Sequence, residues 1–188
     1  MTRWKPDAPG RLAQAALELF IERGFEETTV AEIASRAGLT ERTFYRHYAD
    51  KREVLFGGSA EFAARILGAL ERAPSELAPI DAVRVAIEGI VPYFEGRREF
   101  ARRRGAIVLA HAELRERELI KLAALTTALA AALRDRGVAE PAATLVADIG
   151  VSVFHVAFAR WLRDGEERPL GALIAEGFDE VRAVASGR

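Results

Sequence analysis

Hydrophobic residues return every three or four positions along almost the whole chain, and no stretch alternates with the period of two that marks a half-buried strand. The pattern predicts an all-α protein. Leu12, Ala16, Leu19 and Phe20 share one face of a helix over 9–23, which Gly24 is placed to stop. Thr29-Val30-Ala31-Glu32 is a capping box that opens a second helix. In that helix Val30, Ile33, Ala34 and Ala37 fall at i, i+3, i+4 and i+7, an inward stripe, and Gly38 ends it after barely two turns. Thr40 starts a third, short helix. Asp50-Lys51-Arg52-Glu53 has the form of another capping box and predicts a longer helix running towards Pro74. Beyond Pro79 the periodicity predicts five more helices, over 80–94, 97–110, 113–135, 140–164 and 170–185, with breaks at Pro92, Gly105, Gly137, Pro141, Gly165 and Pro169.

The 188 residues suffice for one sizeable core or two smaller ones, and 50% of them are hydrophobic. The expected division falls near Phe56-Gly57-Gly58, giving an N-terminal three-helix domain over 1–56 and a C-terminal helical bundle over 57–188. The absence of cysteine excludes a disulfide scaffold, thiol catalysis and cysteine-ligated zinc. The N-terminal MTRWKPDAPG is polar and broken by proline and glycine, unlike a signal peptide, and polar residues interrupt every apolar run short of a membrane span. A cytoplasmic protein with no membrane partner is therefore expected. A net charge of −1 gives no bulk basic signature, so local charge carries the information.

That information is concentrated in AGLTERTFYRHYADK, residues 37–51. Wound at 100° per residue, the third helix places Phe44 and Tyr48 one turn apart on one side, where Leu39 joins them. Arg42 and Arg46 point away, flanked by Thr43 and Tyr45. These groups suit the DNA major groove: arginine pairs bidentately with guanine, and threonine contacts the thymine methyl. Tyr45 and His47 are placed to donate to phosphate oxygens. Lys51 and Arg52, in the first turn of the next predicted helix, oppose its dipole at a cost of a few tenths of a kcal/mol each. With an external anion there, they and the free N–H groups become a phosphate clamp, and Thr28 and Thr29 are placed for a matching contact. Helix, glycine, helix, polar outer face and flanking anion sites together specify a helix-turn-helix. The competing reading is a surface hairpin with solvated arginines.

Residues 11–56 closely resemble the N-terminal DNA-binding domain of the TetR/AcrR family of regulators. The matching pieces are Ala15-Ala16, Leu19-Phe20, Gly24-Phe25, Thr28-Thr29-Val30, Ile33-Ala34, Ala37-Gly38, Tyr45-Arg46-His47-Tyr48 and Lys51. Tyr48 stands where the family commonly has phenylalanine. The resemblance implies a homodimer whose two short helices enter successive major grooves of a near-palindromic operator, and a repressor released by a small ligand held in the C-terminal domain. It implies Thr40, Arg42, Thr43 and Tyr45 as recognition-helix contacts and Thr29, His47 and Lys51 as phosphate contacts. REFARRRGAIVLAHAELRERELIKLAALTTALAAALRDRG, residues 98–137, is similar to the C-terminal domain of the actinobacterial subgroup that includes mycofactocin-associated regulators.

The segment 140–164 is apolar nearly all round and is expected to be buried on two sides. Ala143, Ala147, Gly150 and Ala157 form a stripe of small residues that admits a second helix. With 170–185 it is expected to make half of a four-helix dimer interface, the alternative being a central core helix in a monomer. Tyr93, Phe94, Phe100, His111, Phe154, His155 and Phe158 are candidates to line a ligand cavity between the long helices, with core packing the competing reading for each. The runs Arg102–Arg104 and Arg115–Glu118 read as solvated or salt-bridged helix faces.

Other functions are weaker. His47, His111 and His155 are the only histidines, and none stands in an E-x-x-H or H-E-x-x-H arrangement. His111-Ala112-Glu113 has the H-x-E of zinc deaminases without their cysteines. No phosphate-binding glycine loop or nucleophile elbow occurs. An enzymatic or metal-binding bundle is thus the lesser alternative, and no catalytic residue, metal site or cofactor is expected. A TetR-like activator or architectural DNA binder shares every DNA contact above and stays open.

Overall fold

The computed structural model describes residues 7–187. Among them the chain forms nine α-helices and two short 3-10 helices, with no strand. It divides into two compact units: the described residues through Ala60 together with Arg103–Glu118, and Glu61–Arg102 together with the chain from Leu119 onward.

In the first unit, α1 (Ala8–Arg23) buries Leu12, Ala15, Ala16, Leu17, Leu19 and Phe20 and packs on α2 (Val30–Arg36). Gly24 stops α1 with φ 89°, a left-handed conformation open to glycine without strain. The capping box at α2 is closed in both directions: Thr29 Oγ1 accepts the Glu32 N–H at 3.2 Å, and the Glu32 carboxylate accepts the Thr29 N–H at 2.9 Å. The end of α2 is equally defined. Gly38, at φ 66°, lets the Leu39 N–H reach the Ala34 carbonyl at 2.8 Å and its own N–H reach Ser35 at 3.0 Å. That double closure turns the chain sharply into α3 (Glu41–His47).

The long helix expected from Asp50 towards Pro74 is two pieces, a 3-10 helix over Glu53–Phe56 and α4 (Ser59–Arg72). One of the two bonds of the expected box forms, Asp50 Oδ1 accepting the Glu53 N–H at 2.9 Å, but the 3-10 turn itself begins after Arg52. However, Val54, Leu55 and Phe56 are all buried, so the turn is enclosed rather than amphipathic. A continuous α-helix would also carry Gly57 and Gly58, each about 1 kcal/mol poorer than alanine. Gly57 instead passes against the Tyr48 ring, where a Cβ would lie 2.6 Å from the phenol oxygen.

In the second unit the helix expected over 80–94 is likewise divided. It forms α5 (Pro79–Glu88) and a 3-10 helix Val91–Phe94, because Pro92 has no N–H to continue the ladder. Three more helices follow: α6 (Arg98–Ala110), α7 (Ala112–Asp135) and α8 (Ala142–Trp161). The last helix, α9 (Leu170–Ala185), has the expected bounds. The helices α4, α6 and α7 each contribute residues to both units.

Two expectations for α8 change. By length and composition it is apolar enough to cross a membrane, with mean hydropathy 1.7 over its window, so Asp148, Ser152 and His155 interrupt it less than supposed. In the second unit it is the central helix, packed along both α5 and α9. The stripe Ala143, Ala147, Gly150 and Ala157, offered above to a second chain, lies buried inside this one. A Cβ on Gly150 would overlap Cγ1 of Val83 on α5 outright. Small residues permit a close helix crossing, but they do not say which chain supplies the partner, and here α5 does.

Candidate nucleic-acid interface

The two sides of α3 differ because one is anchored by rings. Thr40 caps the helix: its Oγ1 accepts the Thr43 N–H at 3.2 Å and lies 3.1 Å from the Thr43 hydroxyl. Phe44 is fully buried and Tyr48 nearly so, with ring centroids 5.5 Å apart. The Tyr48 hydroxyl donates to the Pro9 carbonyl at 3.2 Å. Burial, with smaller contributions from the charges of Asp7 and Glu53, pushes this phenol up to about 12. The anchoring leaves Glu41, Arg42, Tyr45, Arg46 and His47 exposed, and Thr43 half-buried.

Arg42 and Arg46 stand one turn apart, a like-charge spacing that disfavours a helix by about 0.2–0.5 kcal/mol. Neither has an ion pair among the described residues. Other arginines nearby are matched: Arg23 meets Glu32 at 2.6 Å, Arg36 meets Glu22 at 2.8 Å and Arg52 meets Asp50 at 3.1 Å. The Glu22 hydrogen bond holds the Arg36 guanidinium above its ordinary range. The outward face of α3 thus carries two guanidinium groups without a carboxylate partner among the described residues, whereas Arg23, Arg36 and Arg52 beside it are paired.

The expected phosphate contacts are placed unequally. Thr29 is exposed, with its hydroxyl 2.9 Å from the Glu32 carboxylate. Thr28 is buried, and its hydroxyl donates to the Gly24 carbonyl at 2.8 Å. Lys51 is half-buried: Nζ donates to the carbonyls of Phe25 at 2.6 Å and Glu26 at 3.2 Å and lies 4.3 Å above the Phe25 ring. An ammonium has three N–H donors, so one remains for an outside acceptor. These inward bonds escape sequence reading because they join residues 26 and 25 positions apart through a turn that only the fold closes.

A group that sequence reasoning did not single out stands behind Lys51. Arg117 Nη1 meets Glu53 at 2.5 Å and its Nη2 meets Asp50 at 3.2 Å. Arg104 Nε donates to the Leu55 carbonyl at 2.7 Å, and its Nη1 meets Glu118 at 2.8 Å. Arg52 also reaches Glu113 at 3.5 Å. Burial opposes the charged form of Asp50, but the Glu53 N–H and the guanidinium groups of Arg52 and Arg117 hold its carboxyl below the usual range. The trace in sequence is the pair of charged runs at 102–104 and 115–118, read above as solvated or salt-bridged faces, without any sign of their partners.

The candidate ligand residues separate. Tyr93, Phe94, Phe154 and Phe158 come together in the second unit with Phe62 and Trp161, for example Phe94–Phe158 at 4.9 Å and Phe62–Phe154 at 5.1 Å. Trp161 was legible, since Phe154, Phe158 and Trp161 fall at i, i+4 and i+7. Phe62 has no such signal. The Arg97 guanidinium lies 4.5 Å from the Tyr93 ring at the edge of this group. Phe100 is half-buried and His155 exposed. His111 belongs to the first unit, its ring 5.1 Å from Phe25.

Two family models match the chain. Residues 12–56 match the family model for bacterial regulatory proteins of the tetR family, and residues 77–186 match the MftR C-terminal domain. A candidate mycofactocin biosynthesis transcriptional regulator, MftR of Mycobacterium tuberculosis, is 27% identical over 184 residues, covering 96% of this chain and 92% of the relative. Among solved structures, the TetR-family regulator PfmR from Thermus thermophilus is 26% identical with a TM-score of 0.51, covering 91% of this chain and 96% of that one. A TetR-family regulator from Syntrophomonas wolfei shares the fold with a TM-score of 0.65 at 17% identity, covering 95% and 94%.

Proposed function

The chain belongs to the TetR family of bacterial regulatory proteins, with an MftR-type C-terminal domain, and on that premise we propose that it is a homodimeric cytoplasmic repressor of a near-palindromic operator, released by a small ligand. It is a DNA-binding transcriptional regulator of helix-turn-helix type. The observation that carries the finer reading is the exposed, unpaired Arg42 and Arg46 on a helix anchored by Phe44 and Tyr48. Such a like-charge surface is favoured when base edges and phosphates provide its counter-charge.

In this reading residues 1–56 bind DNA and 57–188 dimerise and hold the effector. Thr40, Arg42, Thr43 and Tyr45 meet bases in the major groove. Thr29, Arg46, His47 and the free donor of Lys51 meet phosphates, while Thr28 supports the turn from within. Two copies place their α3 helices in half-sites about 34–36 Å apart. Their proposed meeting surface is the outward face of α8, where Leu145, Ser152, Val156 and Ala159 are exposed, Leu145 and Val156 at 57% and 65%. The rings around Phe94 and Phe158 are the proposed seat of an apolar effector. Release requires only that the effector prefer the non-binding state; about 1–3 kcal/mol of preference weakens the operator complex roughly 5–150-fold.

Footprinting on host DNA, followed by a reporter on the bound promoter, tests this reading. A symmetric protected site with rising output when the gene is deleted supports a repressor, falling output marks an activator, and no site above random DNA removes the reading. Arg42→Ala is expected to cost about 1–3 kcal/mol on the selected site and to relax its base preference. Lys51→Ala is expected to weaken binding to all sequences and to lower the salt slope by roughly one per half-site. An unchanged slope beside a lowered Tm would restrict Lys51 to holding the Phe25–Glu26 turn.

A further inference from the structure

We propose that the DNA-binding head of this protein is completed by residues 103–118, and that Arg117 is a positioning residue for DNA binding, masking two carboxylates that would otherwise face the phosphate backbone beside Lys51. The inference rests on the reading of Lys51 and α3 as the DNA-facing edge.

Asp50 immediately precedes Lys51, and Glu53 follows two residues later, so two carboxylates flank the very ammonium proposed to meet phosphate. Uncompensated, they would repel the DNA backbone. Of the two, Arg52 meets Asp50 alone, at 3.1 Å, whereas the Arg117 guanidinium reaches both carboxylates, at 3.2 Å from Asp50 and 2.5 Å from Glu53, so Glu53 depends on it more than Asp50 does. Its planar fork suits two acceptors at once, and no compact ammonium reproduces that geometry. The Glu53 pair is the more sheltered, with side-chain exposures of 28% for Arg117 and 19% for Glu53 against 32% for Asp50, so solvent screens it less than a surface pair.

The same segment holds the backbone of this turn. Arg104 donates to the Leu55 carbonyl at 2.7 Å and lies 4.7 Å from the Phe56 ring, while Glu118 holds Arg104 at 2.8 Å. His111 packs on Phe25, the residue whose carbonyl and ring hold Lys51 from the other side. Residues 103–118 therefore brace the Phe25 turn and the 50–56 turn together. This agrees with their membership of the first compact unit, though they lie outside the segment 12–56 that matches the DNA-binding family model.

The test compares the full chain with Arg117→Ala, Arg117→Lys and the double variant Arg117→Ala/Glu53→Gln, in DNA affinity at several salt concentrations and in Tm. Arg117→Ala is expected to lose about tenfold on cognate and random duplexes alike, within the range of couplings inside one ionic network. The loss should shrink at high salt, Arg117→Lys should recover part of it, and the double variant should recover most of it without recovering Tm. Affinity that is unchanged in Arg117→Ala, or that follows Tm in every variant, overturns the masking role. If the wild-type chain itself grips no duplex, the DNA reading fails separately. The brace is then judged by amide exchange over residues 50–56, which must quicken in Arg117→Ala; unchanged exchange overturns it.

Discussion

Gly150→Leu is expected to destabilise the folded chain rather than to separate two folded copies. Leucine is the better helix former by up to about 1 kcal/mol, so α8 alone would gain from the change. The packing reverses this, because the new Cβ would overlap Cγ1 of Val83, which is fully buried, with Ile87 beside it at 3.8 Å. Overpacking of this kind costs about 1–3 kcal/mol, which for a chain of this size lowers Tm by about 2–12 °C. Thermal unfolding at several protein concentrations measures it. A variant with the wild-type Tm that sediments as a monomer would move Gly150 out of the core and into an interface.

The opposite face of the same helix gives the second large effect. Val156 is exposed, and Val156→Glu is expected to leave the protomer's stability within about 0.5 kcal/mol, as surface substitutions usually do. If α8 meets its twin through Leu145, Ser152, Val156 and Ala159, a carboxylate there must be desolvated against its own copy and the dimer dissociates. Operator affinity then falls about 10²–10⁴-fold, because two linked half-site contacts become independent. Sedimentation and operator binding should change together. A dimer that survives with full affinity would exclude this face.

The pair shows what a sequence pattern conceals. Ala143, Ala147, Gly150 and Ala157 announced a close helix crossing, but all four are buried within this chain, and at Gly150 it is α5 that fills the space. The periodicity reports that a face is buried without identifying what buries it. Leu145 and Val156, less conspicuous in the string, remain for a partner. Similarly, the capping box at Asp50 was legible and one of its two bonds forms, yet the helix it should open is a four-residue turn because Val54, Leu55 and Phe56 are all enclosed.

Within the proposed DNA-facing surface, local signals served well wherever the cause is local. Thr29 and Thr40 cap their helices, Gly38 takes the left-handed turn, and Phe44 and Tyr48 face inward, each from residues close in the chain. Signals were silent where the partner is remote in sequence. Thr28 is buried with its hydroxyl bonded to Gly24, Lys51 also bonds inward to Phe25 and Glu26, and nothing in residues 37–51 points to Arg117 or His111.

The sequence alone determined the all-α class, the helix boundaries outside 50–74 and 80–94 to within about three residues, and the outward chemistry of α3, because capping, glycine turns and the 3.6-residue period are properties of neighbouring residues. Tertiary structure alone decided which apolar face of α8 is core, which aromatic rings assemble around Phe94, and which carboxylates beside Lys51 are neutralised. These depend on distance in space, and chain closure brings Arg117 to groups 64 and 67 positions away, a meeting of which the one-dimensional pattern carries no record.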